Sequence, residues 1–179
     1  MSSERKTEQS ISCEDAGSFF SLHYALKETL FDILIVKETT GGIYYGERGR
    51  LDAPCAGSFA AGGRCSKGCQ EAYDTEKYSW IQIERVLRAA YGFAAERHKK
   101  LTIADKADIL ESSRLWREVA EEVSKDFPQV VTNFIYIDKA AADVIIDPCQ
   151  FDVIVTSNLF GDILFSVLSA LTNPNRKSK

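Results

Sequence analysis

Histidine is scarce in this chain, and long apolar runs are missing from it. The 179 residues include only two histidines, His23 and His98. They stand isolated, and neither is assigned a catalytic role. No apolar stretch approaches the roughly 20 residues of a membrane span. The start, Met1-Ser-Ser-Glu-Arg-Lys-Thr-Glu-Gln-Ser10, has no signal-peptide core. No excess of positive charge is present. A formal net charge of −4 argues against nucleic acid or an anionic membrane as partner. No Gly-x-Gly-x-x-Gly occurs, so the eleven glycines do not spell a Rossmann phosphate loop. Five cysteines, an odd number without a secretory context, point to reduced thiols rather than a disulfide framework. These absences predict a cytoplasmic protein.

What is present is enough for one domain with a proper core. Residues 1–30 are polar and weakly patterned apart from Phe19-Phe20-Ser-Leu22, and read as a divergent, mobile tail with at most one marginal helix. Phe31-Asp-Ile-Leu-Ile-Val36 is a compact run of β-formers and predicts a buried strand. Between Gly41 and Cys69 lie eight of the eleven glycines and three of the five cysteines. The stretch at about 50–70 has no period and reads as a Gly/Cys-rich insertion. Its flanks, Gly42-Ile-Tyr-Tyr and Ala72-Tyr-Asp-Thr, are candidates for an antiparallel ribbon. Cys55, Cys65 and Cys69 offer three corners of a zinc site, but with no fourth ligand nearby the spacing is a poor match.

Ser79-Trp-Ile-Gln82 is a capping-box pattern. Ile83, Val86, Leu87, Ala90, Phe93 and Ala94 continue it at helical spacing to about Arg97. Leu101–Ala104 predicts a short strand, and 106–126 a second helix with Leu110, Leu115, Val119 and Val123 on one stripe. Val130–Ile137 reads as a strand, Asp138 as the cap of a short helix that Pro148 terminates, and Phe151–Thr156 as a further strand. A last apolar helix covers about 162–171. Strands alternating with helices mean an α/β fold, a central sheet flanked by helices.

The segment Ser157-Asn-Leu-Phe-Gly-Asp162 places a glycine and a carboxylate where that strand turns into a helix. An Asp at the first turn of a helix sits at its positive end and suits a hard cation or an N-cap bond. With Thr39-Thr-Gly-Gly-Ile-Tyr-Tyr-Gly46 and Ala104-Asp-Lys106-Ala-Asp-Ile-Leu-Glu-Ser-Ser-Arg-Leu-Trp-Arg117, this segment resembles the 3-isopropylmalate dehydrogenase family, over about residues 31–169. The resemblance implies oxidation and decarboxylation of a 2-hydroxy acid by NAD with Mg²⁺ or Mn²⁺, in leucine biosynthesis. It covers the substrate and dimerisation half of the family fold, roughly half of a family member, without the segments of the nucleotide domain.

Several residue roles follow from the resemblance. Tyr44 and Lys106 match the catalytic tyrosine and lysine. Asp162 matches an aspartate that holds the metal in its own subunit, and Asp138 one that reaches into the other subunit's site. The chain is therefore expected to form a homodimer, or a dimer with a full-length homologue. Residues 112–116 match a helix at the dimer interface. A lysine of lowered pKa can take the hydroxyl proton, and a tyrosine can reprotonate the enol.

Three departures stand out. Lys37 replaces an arginine that grips the substrate carboxylate, and so loses the planar fork. Asp108 replaces an asparagine near the nicotinamide. Ser166 stands where a second metal aspartate is expected, one helical turn after Asp162. Without the resemblance, Tyr44 and Tyr45 read as ribbon packing, Lys106 as a solvated lysine, and Asp138 and Asp162 as helix caps. Two other readings stand beside the dehydrogenase: a catalytically inactive dimerisation fragment, and a related isocitrate, homoisocitrate or tartrate dehydrogenase.

Overall fold

β2 (Asp32–Glu38) is apolar on both faces, and that pattern organises everything around it. Ile33 and Ile35 point into one hydrophobic cluster, Leu34 and Val36 into another. A strand buried on both sides belongs in the middle of a sheet covered by helices on each face. The computed structural model describes residues 21–27, 31–53 and 69–172. Within these, one sheet has the order β1-β2-β7-β5-β6. β5 (Lys100–Asp105), β6 (Val131–Tyr136) and β7 (Val153–Thr156) run parallel with β2. β1 (Ser21–Lys27) adds an antiparallel edge, in register from Ser21 opposite Glu38 to Lys27 opposite Asp32. This strand corrects the reading of residues 1–30 as a tail with at most a helix; residues 1–20 lie outside the described residues.

α1 (Trp80–Glu96) and α2 (Glu111–Ser124) cover one face through Val86, Leu87, Ala90, Trp116, Val119 and Val123. α3 (Ile137–Ile146) and α4 (Asn158–Thr172) cover the other through Ala140, Val144, Leu164 and Leu168. α1 starts as its sequence predicts: the Ser79 side chain accepts from the Gln82 amide while the Gln82 side chain takes the Ser79 amide.

Three predicted starts shift. α2 begins at Glu111, not at 106, because the Asp105 carboxylate takes the Ala107 amide and the Ile109 and Leu110 amides both turn back to the Lys106 carbonyl. Lys106 and Asp108 therefore sit on a strand-to-helix turn. Asp138 lies in the first turn of α3, whose cap residue is Tyr136, and its carboxylate accepts from its own backbone amide there. α4 begins at Asn158, which moves Asp162 one turn inside the helix.

The antiparallel ribbon exists with a different first strand. β3 (Arg48–Ala53) pairs with β4 (Cys69–Asp74), Arg48 opposite Asp74. Gly42–Tyr44 instead forms a single 3₁₀ turn. Gly42 has φ +79°, and a Cβ there would lie 2.2 Å from the Tyr78 hydroxyl, so only glycine fits the turn. The ribbon connection, with Cys55 and Cys65, falls outside the described residues.

Candidate active site

The four parallel strands end along one edge of the sheet, and every candidate residue lies on that edge. In open α/β sheets ligands bind outside the carboxyl ends of the strands. Register puts Lys37 level with Thr156, Thr156 with Ala104, and Asp105 with Tyr136. With strands about 4.8 Å apart, the ends of β2 and β6 are roughly 14 Å apart. Along this edge the candidates fall into two groups.

The first group gathers on Asp162. Lys37, with its side chain 7% exposed, forms an ion pair with Asp162 Oδ1 and donates to Asn158 Oδ1 at 3.0 Å. The Tyr44 hydroxyl donates to Asp162 Oδ2 at 3.0 Å. Burial, then the hydrogen bond and charge of Asp162, push the Tyr44 phenol above its ordinary value, so it holds its proton. The turn that aims Tyr44 is held from below. Glu38, fully buried, takes two 2.9 Å contacts from Arg85 and the Thr40 amide at 2.7 Å. The Tyr78 hydroxyl accepts the Asn158 amide at 2.9 Å, and the Asn158 side-chain amide donates to the Gly41 carbonyl at 3.2 Å.

The second group gathers on Lys106. Its ammonium donates to Asp138 at 2.7 Å, pairs with Asp108 at 3.2 Å, and lies 5.2 Å from the Tyr136 ring centroid. The hydrogen bond to Asp138 is the main cause of a raised Lys106 pKa, with Asp108 adding to it; in return Lys106 lowers that of Asp138. The direction of that shift is opposite to the lowered value a proton-accepting lysine needs. Asp105, 3% exposed, receives two bonds from Arg117 at 2.7 and 3.0 Å. The Arg117 guanidinium in turn lies 5.1 Å from Phe134 and 5.2 Å from Tyr136.

The structure thus brings together Lys37, Tyr44 and Asp162, and separately Lys106, Asp108 and Asp138. Among the described residues no hydrogen bond or ion pair joins the two groups. Sequence reasoning missed Asn158, Tyr78, Glu38, Asp105 and Arg117. Asn158 was within the strand-to-helix segment already singled out, but its side-chain partners, Lys37 and the Gly41 carbonyl, are distant in sequence. The others act through distant partners and left no local signal.

Residues 112–116 do not supply the exposed apolar surface. Ser113 and Trp116 are buried against the chain's own core. Exposed apolar side chains occur on several elements, among them Ile81 on α1, Ile109 before α2, Ile145 and Ile146 on α3, and Ile163 and Leu171 on α4. No helix among the described residues is long and apolar enough to cross a membrane.

The isocitrate/isopropylmalate dehydrogenase family profile matches residues 11–173. The chain belongs to that family. It is 49% identical to a 3-isopropylmalate dehydrogenase of Clostridium acetobutylicum over 141 residues, 79% of this chain and 36% of the relative. Identity to the Photobacterium profundum 3-isopropylmalate dehydrogenase is 45% over 155 residues, 86% of this chain and 39% of the relative. The crystal structure of isocitrate dehydrogenase from Methylococcus capsulatus superposes with a TM-score of 0.67 at 28% identity, over 78% of this chain and 38% of the other. The chain therefore spans well under half the length of these relatives. The family match also begins 20 residues before Phe31, reaching into the segment that the sequence marks as a divergent tail.

Proposed function

We propose that this chain carries the substrate-side groups for NAD-dependent oxidative decarboxylation of 3-isopropylmalate, the leucine-biosynthetic reaction, and works as a cytoplasmic homodimer or with a full-length homologue. One observation carries the reading: Lys37 and Tyr44 converge on Asp162 at the carboxyl edge of a parallel sheet, on the same edge as Lys106 and Asp138. Family membership supports the reaction class. NAD, when bound, supplies the hydride acceptor.

Each group has a chemical task. Lys37 has three N–H bonds and uses two on Asp162 and Asn158, which leaves one for an oxygen of the substrate. Tyr44, holding its proton, is suited to protonate an enolate carbon. Lys106 can accept the hydroxyl proton only after its ammonium loses one, and Asp138 and Asp108 oppose that. Release of Asp138 from Lys106 is thus a required step in this scheme. Asp108, on the exposed turn, is the candidate contact for the nicotinamide side. The roughly 14 Å between the strand ends supports the dimer reading, in which another copy brings Lys106 and Asp138 to this copy's Tyr44 and Asp162. The exposed isoleucines of α3 and α4 offer an apolar face for that contact.

Mg²⁺ or Mn²⁺ would take Asp162 of one copy and Asp138 of another. The residues as folded do not fit that ion. Asp162 and Asp138 each already hold an ammonium, and Ser166 adds no charge. No cluster of three or more His, Cys, Asp or Glu able to hold a metal occurs among the described residues. No step is therefore assigned to a metal.

Calorimetric titration with 3-isopropylmalate, isocitrate and tartrate tests the proposal without requiring cofactor. Binding of 3-isopropylmalate in preference to the others, weakened by Tyr44→Phe and by Lys106→Ala, is expected. No heat from folded protein would overturn it. A second reading, a catalytically inactive dimerisation fragment, is favoured by Asp162 and Asp138 each being paired with a lysine of this chain. That reading predicts self-association without substrate binding.

A further inference from the structure

We infer that the Lys37 ammonium is the resident cation of the Asp162 site and stands in the place of a divalent metal ion. The inference rests on the placement of Asp162 in the substrate site proposed above. Three observations carry it. The ammonium is paired with the same carboxylate that also accepts Tyr44, so both Asp162 oxygens are engaged. Asn158 Oδ1 gives it a second oxygen at 3.0 Å, and Asn158 is itself fixed by the Tyr78 hydroxyl on its amide N–H and by the Gly41 carbonyl. The ammonium is thus held by oxygens from two side chains of α4, as a hard cation would be.

The lysine stem is seated as well. Lys37 is 5% exposed, and a Cβ built on Gly161 would lie 2.6 Å from Lys37 Cβ and 2.8 Å from its Cδ. The stem therefore lies directly on the bare backbone of α4, and the first of these contacts is to an atom that cannot swing aside. Little room is left for the ammonium to withdraw. An ion landing on Asp162 would face a tethered positive charge within a few ångströms.

Charge bookkeeping points the same way. One carboxylate and one ammonium are neutral together, and the Asp138 that another copy could add is itself paired with Lys106, so a dication here would leave two net positive charges. A carboxylate at position 166, one turn along α4, would reduce that excess, and the chain has an exposed serine there. Lysine also suits the role better than arginine, because its charge is compact rather than spread over a planar fork. The consequence for chemistry is a fixed univalent cation that polarises a substrate oxygen less than a divalent one.

The test is Mn²⁺ binding to the full chain, read from the electron paramagnetic resonance signal of free Mn²⁺. Wild type is expected to bind no Mn²⁺ in an Asp162-dependent way, so Asp162→Asn leaves its isotherm unchanged. Lys37→Met, which keeps the buried stem and removes the charge, should tighten Mn²⁺ binding by roughly 10- to 100-fold. Adding Asp162→Asn to it should abolish the gain. Lys37→Gln serves as a second neutral variant in case methionine disturbs folding. Wild-type binding that Asp162→Asn removes would overturn the inference, as would no gain in either neutral variant. Because no turnover is measured, this outcome is separate from the substrate titration that tests the proposed function.

Discussion

Trp116→Ala should be among the most damaging single changes in this chain, and its size can be worked from the contacts. Trp116 is 3% exposed and meets the Tyr78 ring edge-on, centroids 5.7 Å apart. Truncating a buried Trp typically costs about 3–5 kcal/mol, and an aromatic pair contributes about 0.5–1.5 kcal/mol beyond its burial. One term acts the other way. Trp116 Nε1 is buried with no hydrogen-bond partner among the described residues, and such a donor costs about 1–3 kcal/mol to keep from water. Trp116→Phe removes that donor and keeps a ring against Tyr78. It should therefore lie within about 1.5 kcal/mol of wild type, while Trp116→Ala loses about 2–4 kcal/mol. Urea unfolding followed by circular dichroism at 222 nm reads both. The effect should also reach the site, because Tyr78 holds the first amide of α4 and its ring covers Gly41 and Gly42. An alanine variant within about 1 kcal/mol of wild type would refute the packing argument.

Other outcomes follow from single positions. Gly92 sits inside α1, and a Cβ there meets nothing within 4 Å. Gly92→Ala should raise stability by about 0.5–1 kcal/mol, and a lower urea midpoint would contradict an open helical position. Gly161→Ala forces its new methyl against Lys37 Cβ and should cost about 1–3 kcal/mol; an unchanged midpoint would mean that the two are not in contact. Asp138→Asn removes the main partner that raises the Lys106 pKa, so the amine should titrate at lower pH by NMR, and an identical curve would separate the pair. The signs of the pH dependence are opposite for the two partners. Asp138 has its folded pKa lowered, so its contribution is present above the ordinary carboxylate range and fades as acid protonates it. Lys106 has its folded pKa raised, so its contribution is complete below the ordinary amine range and is lost as pH climbs through the raised value.

Much of the sheet was readable because its strands are buried on both sides. Ile33–Val36 and Val153–Val155 announce themselves as apolar runs, and Ser79 with Gln82 marks the start of α1. The starts of α2, α3 and α4 were misplaced for one shared reason. Polar side chains at the strand ends make tertiary or turn contacts that no local pattern shows: Asp105 closes a turn, Asp138, read as a cap, turns to Lys106, and α4 opens at Asn158, before Asp162. Ser21–Lys27 was missed although Leu22, Tyr24 and Leu26 recur at the strand period, because the polar residues before it led the whole segment to be read as a tail. The candidate residues Tyr44, Lys106, Asp138 and Asp162 were picked out by their motifs. Their groupings were not, because Lys37 and Asp162 are 125 positions apart. Nor could the sequence show that Lys106 is pinned as an ammonium, which depends on where Asp138 falls in space.

The most direct measurement is NAD⁺ reduction at 340 nm by the purified chain with 3-isopropylmalate, beside isocitrate and tartrate, with and without Mn²⁺. The account predicts NADH formation greatest with 3-isopropylmalate and absent in Lys106→Ala. A folded chain that forms no NADH with any of the three acids, or one whose Lys106→Ala variant reduces NAD⁺ equally well, would contradict it.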